Sequence, residues 1–267
     1  MAQQIAPQPL PPQAFQLAAT YQLGTPMAAY TPWLRPAGIF SSAVLLLVGI
    51  AFLIASFATT NPDSASGFLI LGLIFFASGL IWPAIFLFTR NQQVYVCTEG
   101  LVRVKGGQAE AMRWDQVASF FQAVNIFTYR VFLIPVVKMT NHAYTVFGSS
   151  GTKLVFKDNW RSVEALGTTI GRETTRCLLP KAIEAYTAGA PVTFGDLVVS
   201  QQGISKGQNL LPWHLYQGTQ VNRGYVFIRQ QGKTLRWATI PVRKIPNFLV
   251  FVGLIEYIQR GQRGVAS

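Results

Sequence analysis

The sequence predicts an α+β membrane protein, a two-helix transmembrane hairpin followed by two small antiparallel β modules that each close with a C-terminal helix. Three observations carry that prediction. Two long apolar runs, Ala37–Ala58 and Ser64–Thr89, hold no charged residue and are separated only by Thr59–Asp63. From Arg90 onward the apolar residues recur with period two and are punctuated by turn dipeptides, as in hairpin-connected strands. Two stretches with helical spacing, after Asn159 and after Pro246, each follow a set of such strands.

The first run is 22 residues long. At about 1.5 Å per residue it covers about 33 Å, matching a hydrocarbon core of about 30 Å. The second run has room for a similar span between Gly67 and Leu87. Backbone N–H and C=O groups find no partner in lipid, so both runs must be helical. Pro83 removes one helical hydrogen bond and is expected to kink the second helix near its end. Ser42, Gly49 and Ser56 recur every seven residues in the first run, as do Gly72 and Gly79 in the second. Seven residues is close to two turns, so each set lines one face. Small faces let helices approach closely in lipid, so these faces are expected to meet, within the hairpin or between copies in a homo-oligomer.

Charge sets the orientation. Of 22 Lys and Arg only Arg35 precedes residue 90, and of 10 acidic residues only Asp63 does. The connecting loop has no Lys or Arg, whereas Arg90, Arg103 and Lys105 follow the second run. The positive-inside bias places both termini in the cytoplasm, with two spans across the inner (plasma) membrane. Tyr30, Trp33 and Arg35 before the first span, and Trp82 near the end of the second, suit headgroup depth. Neither span contains an ionisable group, which argues against an ion path or proton relay.

Residues 1–36 are rich in Gln, Pro and Ala, and the run from Pro7 to Pro12 favours extended conformations, so this tail is expected to be disordered. Residues 90–188 form the first module, with about seven short strands. A helix then follows, with Asn159 as its cap, Val163, Leu166 and Ile170 on one face, and Gly167 and Gly171 placed for close approach to a sheet. Pro180 is expected to interrupt that helix or start a new one. Residues 189–262 form the second module and 263–267 a short tail. The apolar helix Asn247–Gln259 is too short to span and carries Glu256. It is expected to pack on the second sheet, the alternative being a helix lying on the membrane surface.

The two strand sets echo each other. Gly100-Leu101 and then Trp114 recur as Gly203-Ile204 and then Trp213, and a Trp at a strand corner is a device for sealing one end of a sheet. A run of strands capped by a C-terminal helix is similar to the pleckstrin-homology-like fold. The Gly-Leu or Gly-Ile turn followed by a Trp that introduces the next strand resembles membrane-bound bacterial relatives of that fold, which carry a paired transmembrane hairpin ahead of such domains. The segment from Val192 to Ile204, with Leu211-Pro212-Trp213 downstream, resembles an uncharacterised bacterial membrane family with this layout, and the likeness covers residues 37–260 as architecture. It implies a fold and a location and brings no catalytic residues. The turn taken as the module's first hairpin, Val104 to Gln108, offers Lys105 with Arg103 nearby in place of a basic phosphoinositide-binding cluster.

Chemistry-bearing patterns are sparse. Cys97 and Cys177 lie at no metal-ligand spacing and read as reduced, buried thiols. His142 and His214 read as ordinary polar residues, and the carboxylates form no close acid–base pair. Gly148 to Lys153 lacks the phosphate-loop pattern. The sequence therefore predicts no enzyme, no cofactor, no metal and no nucleic-acid partner. The net charge of +12, all of it after residue 89, is the functional hint. Beside an anionic leaflet each well-placed basic residue contributes about 1 kcal/mol. Arg90, Arg243, Lys244, Arg260 and Arg263 are the expected contacts to anionic lipid. The expected function is a membrane-anchored binding or scaffold protein whose modules engage lipid headgroups or a protein partner. The alternatives are a structural subunit of a larger membrane complex and, behind it, a membrane-associated enzyme.

Overall fold

A computed structural model describes residues 10–33, 36–131 and 134–265, with side chains for all of these except 36–37, 125–139 and 263–265. In chain order the elements are α1 (Pro12–Thr20), β1 (Pro26–Tyr30), α2 (Pro36–Ala58), α3 (Pro62–Thr89), β2 (Gln92–Cys97), β3 (Gly100–Lys105), β4 (Gln108–Arg113), β5 (Val117–Val131), β6 (Ile134–Gly148), β7 (Lys153–Lys157), α4 (Val163–Thr187), β8 (Val192–Phe194), β9 (Leu197–Ser200), β10 (Gly203–Lys206), β11 (Asn209–Pro212), β12 (Tyr216–Asn222), β13 (Tyr225–Gln230), β14 (Arg236–Pro241) and α5 (Phe248–Val265). The strands form two sets of the same make-up. The first is a four-stranded sheet, β1-β2-β3-β4, with a three-stranded sheet, β5-β6-β7, and then α4. The second is β8 to β11 in order with β12-β13-β14, and then α5. All pairings are antiparallel.

The helical hairpin is an insertion into the first set. Its first strand, β1, precedes the hairpin and pairs with β2, which follows it: Ala28 lies opposite Val96 and Tyr30 opposite Val94. The corresponding pair in the second set is β8 and β9, where Phe194 lies opposite Leu197 and only Gly195 and Asp196 intervene. A two-residue turn in one module is thus two long apolar helices in the other. The Lys105 turn consequently joins the third and fourth strands of its sheet, not the first two. The disordered tail expected for residues 1–36 is also corrected over 12–30, residues 1–9 lying outside the described part. Pro12 does not prevent a helix there because it occupies the first helical position, where its missing N–H has no intrahelical partner to lose.

Ala14, Ala18 and Leu23 pack with Tyr95, Cys97, Val102 and Val104 on one face of the four-stranded sheet, while Val94, Val96 and Leu101 face the first module's core. This explains why Val94 to Cys97 are all buried instead of alternating. A strand covered on both faces reads as a continuous apolar run. Burial pushes the Cys97 thiol up to about 11; both cysteines are free, but Cys177, on α4 between the two cores, is only partly buried rather than buried as expected.

The repeated Gly and Trp residues occupy matching places. Trp114 donates its indole N–H to the Cys97 carbonyl (3.2 Å), and Trp213 does the same to the Ser200 carbonyl (2.9 Å). Each acceptor lies three residues before the repeated glycine. A Cβ on Gly100 would sit 2.4 Å from the Met112 oxygen, and one on Gly203 would sit 2.1 Å from the Leu211 oxygen. Each indole thus ties the start of the second sheet to the turn in the first.

In the hairpin, α2 and α3 meet along their small residues. Ser42, Ser56, Gly72 and Gly79 are buried. A Cβ on Gly49 would lie 2.6 Å from the Phe76 backbone nitrogen, and one on Gly79 would lie 2.7 Å from the Leu46 side chain. These faces are therefore engaged within the hairpin. The outer flanks are uncovered, with Phe40 72%, Leu47 68% and Phe57 86% exposed. α3 continues as one helix through Pro83.

α4 belongs to both modules. Leu166 and Ile170 lie in the first core, whereas Leu178, Leu179, Ala182 and Ile183 pack on the second. It is a single helix of 25 residues that passes through Pro180, so the expected break does not occur. Its N-cap is Ser162 in the left-handed region (φ 54°) rather than Asn159, and no side chain caps it. α5 packs into the second core through Phe251, Leu254 and Ile258, as expected for a helix on the second sheet. Just before it Asn247, also left-handed (φ 51°), locks the modules together. Its backbone N–H donates to the Phe120 carbonyl (2.8 Å), its Oδ1 accepts from the Phe120 N–H (2.9 Å), and its Nδ2 donates to the Ala118 carbonyl (3.1 Å).

Two stability predictions result. Gly49→Val should lower the thermal midpoint of the detergent-solubilised protein, at a cost of about 1–3 kcal/mol for overpacking, whereas Gly67→Val, whose Cβ meets nothing within 4 Å, should leave it unchanged. Asn247→Gly keeps the left-handed backbone but removes two side-chain bonds, and should cost about 1–3 kcal/mol, read as faster hydrogen exchange at the Phe120 amide.

Candidate membrane interface

Both ends of the hairpin are short links into one sheet. Residues 31–35 join β1 to α2, and residues 90 and 91 join α3 to β2. The entering link is docked on the turn between β7 and α4. The Trp33 N–H donates to the Asn159 carbonyl (2.7 Å), the Arg161 N–H donates to the Thr31 carbonyl (3.0 Å), and Pro32 bridges to Trp160. Trp160 is 3% exposed and lies edge-on to Phe156. The Asn159 backbone therefore holds the link instead of its side chain capping a helix. Tyr30, expected at headgroup depth, packs against the first core. Burial raises its hydroxyl, partly offset by a hydrogen bond with Thr169 and the charge of Arg172. Trp33 and Trp82 do remain exposed, and Trp82 lies against Gly38 beside the first turns of α2.

The exit is equally tight. The Arg90 N–H donates to the Phe86 carbonyl (2.8 Å), extending the last turn of α3. Two residues later Gln92, 7% exposed, accepts from Arg103 Nη2 (2.9 Å). Lys105 pairs with Gln92 across the ladder, so the turn at Gly106 and Gly107 borders the hairpin. Lys157 and Arg161 flank the turn that holds Thr31. From the second module the turn at Arg223 and Gly224 comes up to Val124: a Cβ on Gly224 would lie 3.5 Å from the Val124 oxygen. Arg90, Lys105, Lys157, Arg161 and Arg223 are all exposed. The carboxylates at this end are Glu110, opposite Arg103 in the ladder, Asp158 and Glu164.

The five basic residues singled out from sequence do not form one cluster. Arg90 is at the end of the hairpin. Arg243 and Lys244 sit beside β5, between the Gly224 turn and Asn247. Arg260 is near the other end of α5, 3.9 Å from Glu256, at a cleft of about 570 Å³ that is also lined by Tyr186, Thr187 and Tyr257. The start of α4 is tied to the hairpin link, so Arg260, beside its last turn, is about 35 Å along that helix from the link. The side chain of Arg263 lies outside the described residues.

His142 is paired with a carboxylate. Its Nδ1 lies 3.1 Å from Asp158 Oδ1, and its backbone N–H donates to Asp158 Oδ2 (2.9 Å). The ring stacks on Tyr144, whose hydroxyl is pushed up to about 12 by burial and by the charges of Glu164 and Asp158. The pair ties β6 to the same β7–α4 turn that receives the hairpin link, and it is not among the residues lining the cleft at Arg260. His214 is exposed on the short turn after Trp213. Among the described residues no three His, Cys, Asp or Glu side chains come together as metal ligands.

No curated protein and no solved structure matches the chain. A family model does, over residues 1–264, a stretch that includes the hairpin and both modules. The chain therefore belongs to DUF6585, a family of unknown function.

Proposed function

We propose that this chain is a membrane-anchored, non-enzymatic binding protein. α2 and α3 cross the inner membrane of a bacterial cell, both termini are cytoplasmic, and two pleckstrin-homology-like modules are held at the inner leaflet to engage anionic headgroups and a protein partner. The observation that carries this reading is the insertion of the hairpin between two paired strands. With links of five and two residues, the first module has little freedom to leave the membrane face. The uncovered flanks of α2 and α3 support the crossing. Only 17% and 11% of their most apolar windows are buried, whereas a core helix of a soluble protein is covered and a large exposed apolar patch marks an interaction surface. The four-plus-three strand make-up with a closing helix, present twice, supports the fold assignment. The His142–Asp158 pair, which an enzyme reading would use if it lay in a cleft, ties β6 to the turn under the entering link.

In this reading lipid contact falls to Arg90, Lys105, Lys157, Arg161 and Arg223, which border the hairpin, while Arg243, Lys244 and Arg260 are left for a protein partner. Hydrogen exchange of the full-length protein in nanodiscs tests it. Amides at residues 105–108, 157–161 and 222–224 should exchange more slowly in anionic than in zwitterionic discs. The difference should vanish near 1 M salt, where the screening length falls to about 3 Å. Equal exchange in both discs at low salt would remove headgroup binding from the function.

A further inference from the structure

The two modules treat one strand edge differently. In the first module the outer edge of β5 is bonded by Asn247: the Phe120 N–H donates to Asn247 Oδ1 (2.9 Å), the Phe120 carbonyl accepts from the Asn247 N–H (2.8 Å), and the Ala118 carbonyl accepts from Asn247 Nδ2 (3.1 Å). β12 is the matching strand of the second module. It follows the turn at Trp213 as β5 follows the turn at Trp114. Both ladders shift register just after their first residue, between Val117 and Ser119 and between Tyr216 and Gly218. Thr219 therefore holds the place of Phe120, and Gln217 that of Ala118.

The edge of β12 is open. Arg223 and Gly224, both left-handed (φ 50° and 78°), form a two-residue turn, so Asn222 and Tyr225 exchange both of their backbone bonds. From there the ladder runs without a shift to Gly218 opposite Arg229. Bonding alternates along it, so the N–H and C=O groups of Thr219 and Val221 point away from β13. Among the described residues no other group bonds them. The sheet's other edge, β14, leads into the Val242–Asn247 segment that meets β5, so the open edge is the one on the far side from the first module. Edge strands are ordinarily shielded by Lys, Pro or shortness. Tyr216–Asn222 is seven residues long, with no charged residue and no proline.

Charge selects what would pair there. Between Leu197 and Ile255 the chain has seven Lys and Arg and no Asp or Glu. On β13, Val226 and Ile228 are buried, so Tyr225, Phe227 and Arg229 lie on the outward face of the sheet. Tyr225 stacks on Phe227 with centroids 6.4 Å apart, and the Arg236 guanidinium lies 3.8 Å from the Phe227 centroid. Arg229 stands opposite Gly218, where a Cβ would meet nothing within 4 Å. No side chain of β12 therefore separates Arg229 from a strand added beside β12, about 10 Å or two strand spacings from β13. A carboxylate on that strand and Arg229, reaching toward each other over the glycine, would form a charge-assisted pair.

We infer that the β12 edge takes an extended acidic segment of a partner protein as a further antiparallel strand, its backbone bonded to Thr219 and Val221 and a carboxylate reaching Arg229 over Gly218. The inference rests on the reading of the chain as a binding protein, and it gives the second module a partner site apart from Arg243, Lys244 and Arg260. A polypeptide is the occupant because the edge offers donors and acceptors together, which another backbone matches and phosphate oxygens, acceptors only, do not. A second copy would set an equally basic face against this one, and like charges would meet.

The test uses the full-length protein in zwitterionic nanodiscs and two short fluorescent peptides, one alternating Glu with Val and one alternating Lys with Val. The expected result is saturable binding of the Glu–Val peptide, severalfold slower hydrogen exchange at the Thr219 and Val221 amides when it is bound, and no binding of the Lys–Val peptide. Arg229→Glu should exchange that preference. N-methylation of the peptide's Val residues, which would lie opposite Thr219 and Val221, should abolish binding, and N-methylation of its Glu residues, whose amides point outward, should not; this arm leaves the protein unaltered. No binding of the Glu–Val peptide, equal binding of both peptides, binding that survives methylation of the Val residues, or unchanged exchange at Thr219 and Val221 would each overturn the strand site. Slower exchange at these two amides without peptide would also overturn it, assigning the edge to a second copy if the effect grows with the number of copies per disc, and to lipid if it appears on passing to anionic discs. Headgroup binding is read at residues 105–108 and 157–161, so either can fail while the other stands.

Discussion

The pairing of β1 with β2 is the constraint on which the rest depends. Its partners are more than sixty residues apart in sequence, and everything between them is hairpin and link. Closing so long a loop by chance is entropically unfavourable. Once α2 and α3 have packed through Gly49, Gly72 and Gly79, however, their ends are side by side and β1 is delivered next to β2. The ladder is then reinforced from both sides. α1 covers the outer face of the sheet, and the turn carrying Asn159, Trp160 and Arg161 grips the link at Thr31 and Trp33. Hairpin and module are thus one folding unit, and the first module cannot be cut away from the hairpin at residue 90 without losing an edge strand and its covering helix.

The second module is attached just as firmly. α4 begins in one core and ends in the other, so a rotation between modules would have to break or bend a continuous helix. Asn247 adds a lock at the opposite side, using an amide to complete the backbone of β5. A left-handed position suits Asn better than most residues, and the amide supplies both a donor and an acceptor. The body that results places Lys105 and Arg161 beside the links of the hairpin, and brings the Arg223 turn of the second module up to Val124 of β5. Arg260 and its cleft lie toward the far end of α5, beside the last turn of α4.

Much of this was legible in the sequence, for reasons that differ by element. The two apolar helices are legible because length and absence of charge decide them without reference to the rest of the chain. The doubled module is legible because Gly100 with Trp114, and Gly203 with Trp213, are local devices with a fixed geometric purpose. What escaped depends on distant partners. β1 is five residues long, Pro-Met-Ala-Ala-Tyr, and becomes a strand only because β2 lies beside it. α1 is hidden by its prolines, which prove to be compatible with its first turn. Val94 to Cys97 fail to alternate because α1 covers the second face. Pro180 resembles a helix break, but packing on two cores outweighs the lost hydrogen bond of a few kcal/mol. The five basic residues expected at lipid are not gathered in one place, for a simple reason. Arg260 lies twelve residues along α5 from Phe248, close in sequence to Lys244 yet about 18 Å along the helix from its start.

The claim most exposed to test is that the hairpin replaces a turn within an otherwise complete module. A chain in which residues 34–91 are replaced by a short Gly-Ser linker keeps β1, its covering helix and every module contact. It should be water-soluble and unfold cooperatively, with near-UV circular dichroism of a packed core. A chain lacking residues 1–91 altogether should be less stable than that variant by several kcal/mol in denaturant titration, since it loses the β1 ladder and the burial of Tyr95, Val102 and Val104 under α1. Equal stability of the two chains would contradict the insertion and return the hairpin to the role of a separate N-terminal anchor.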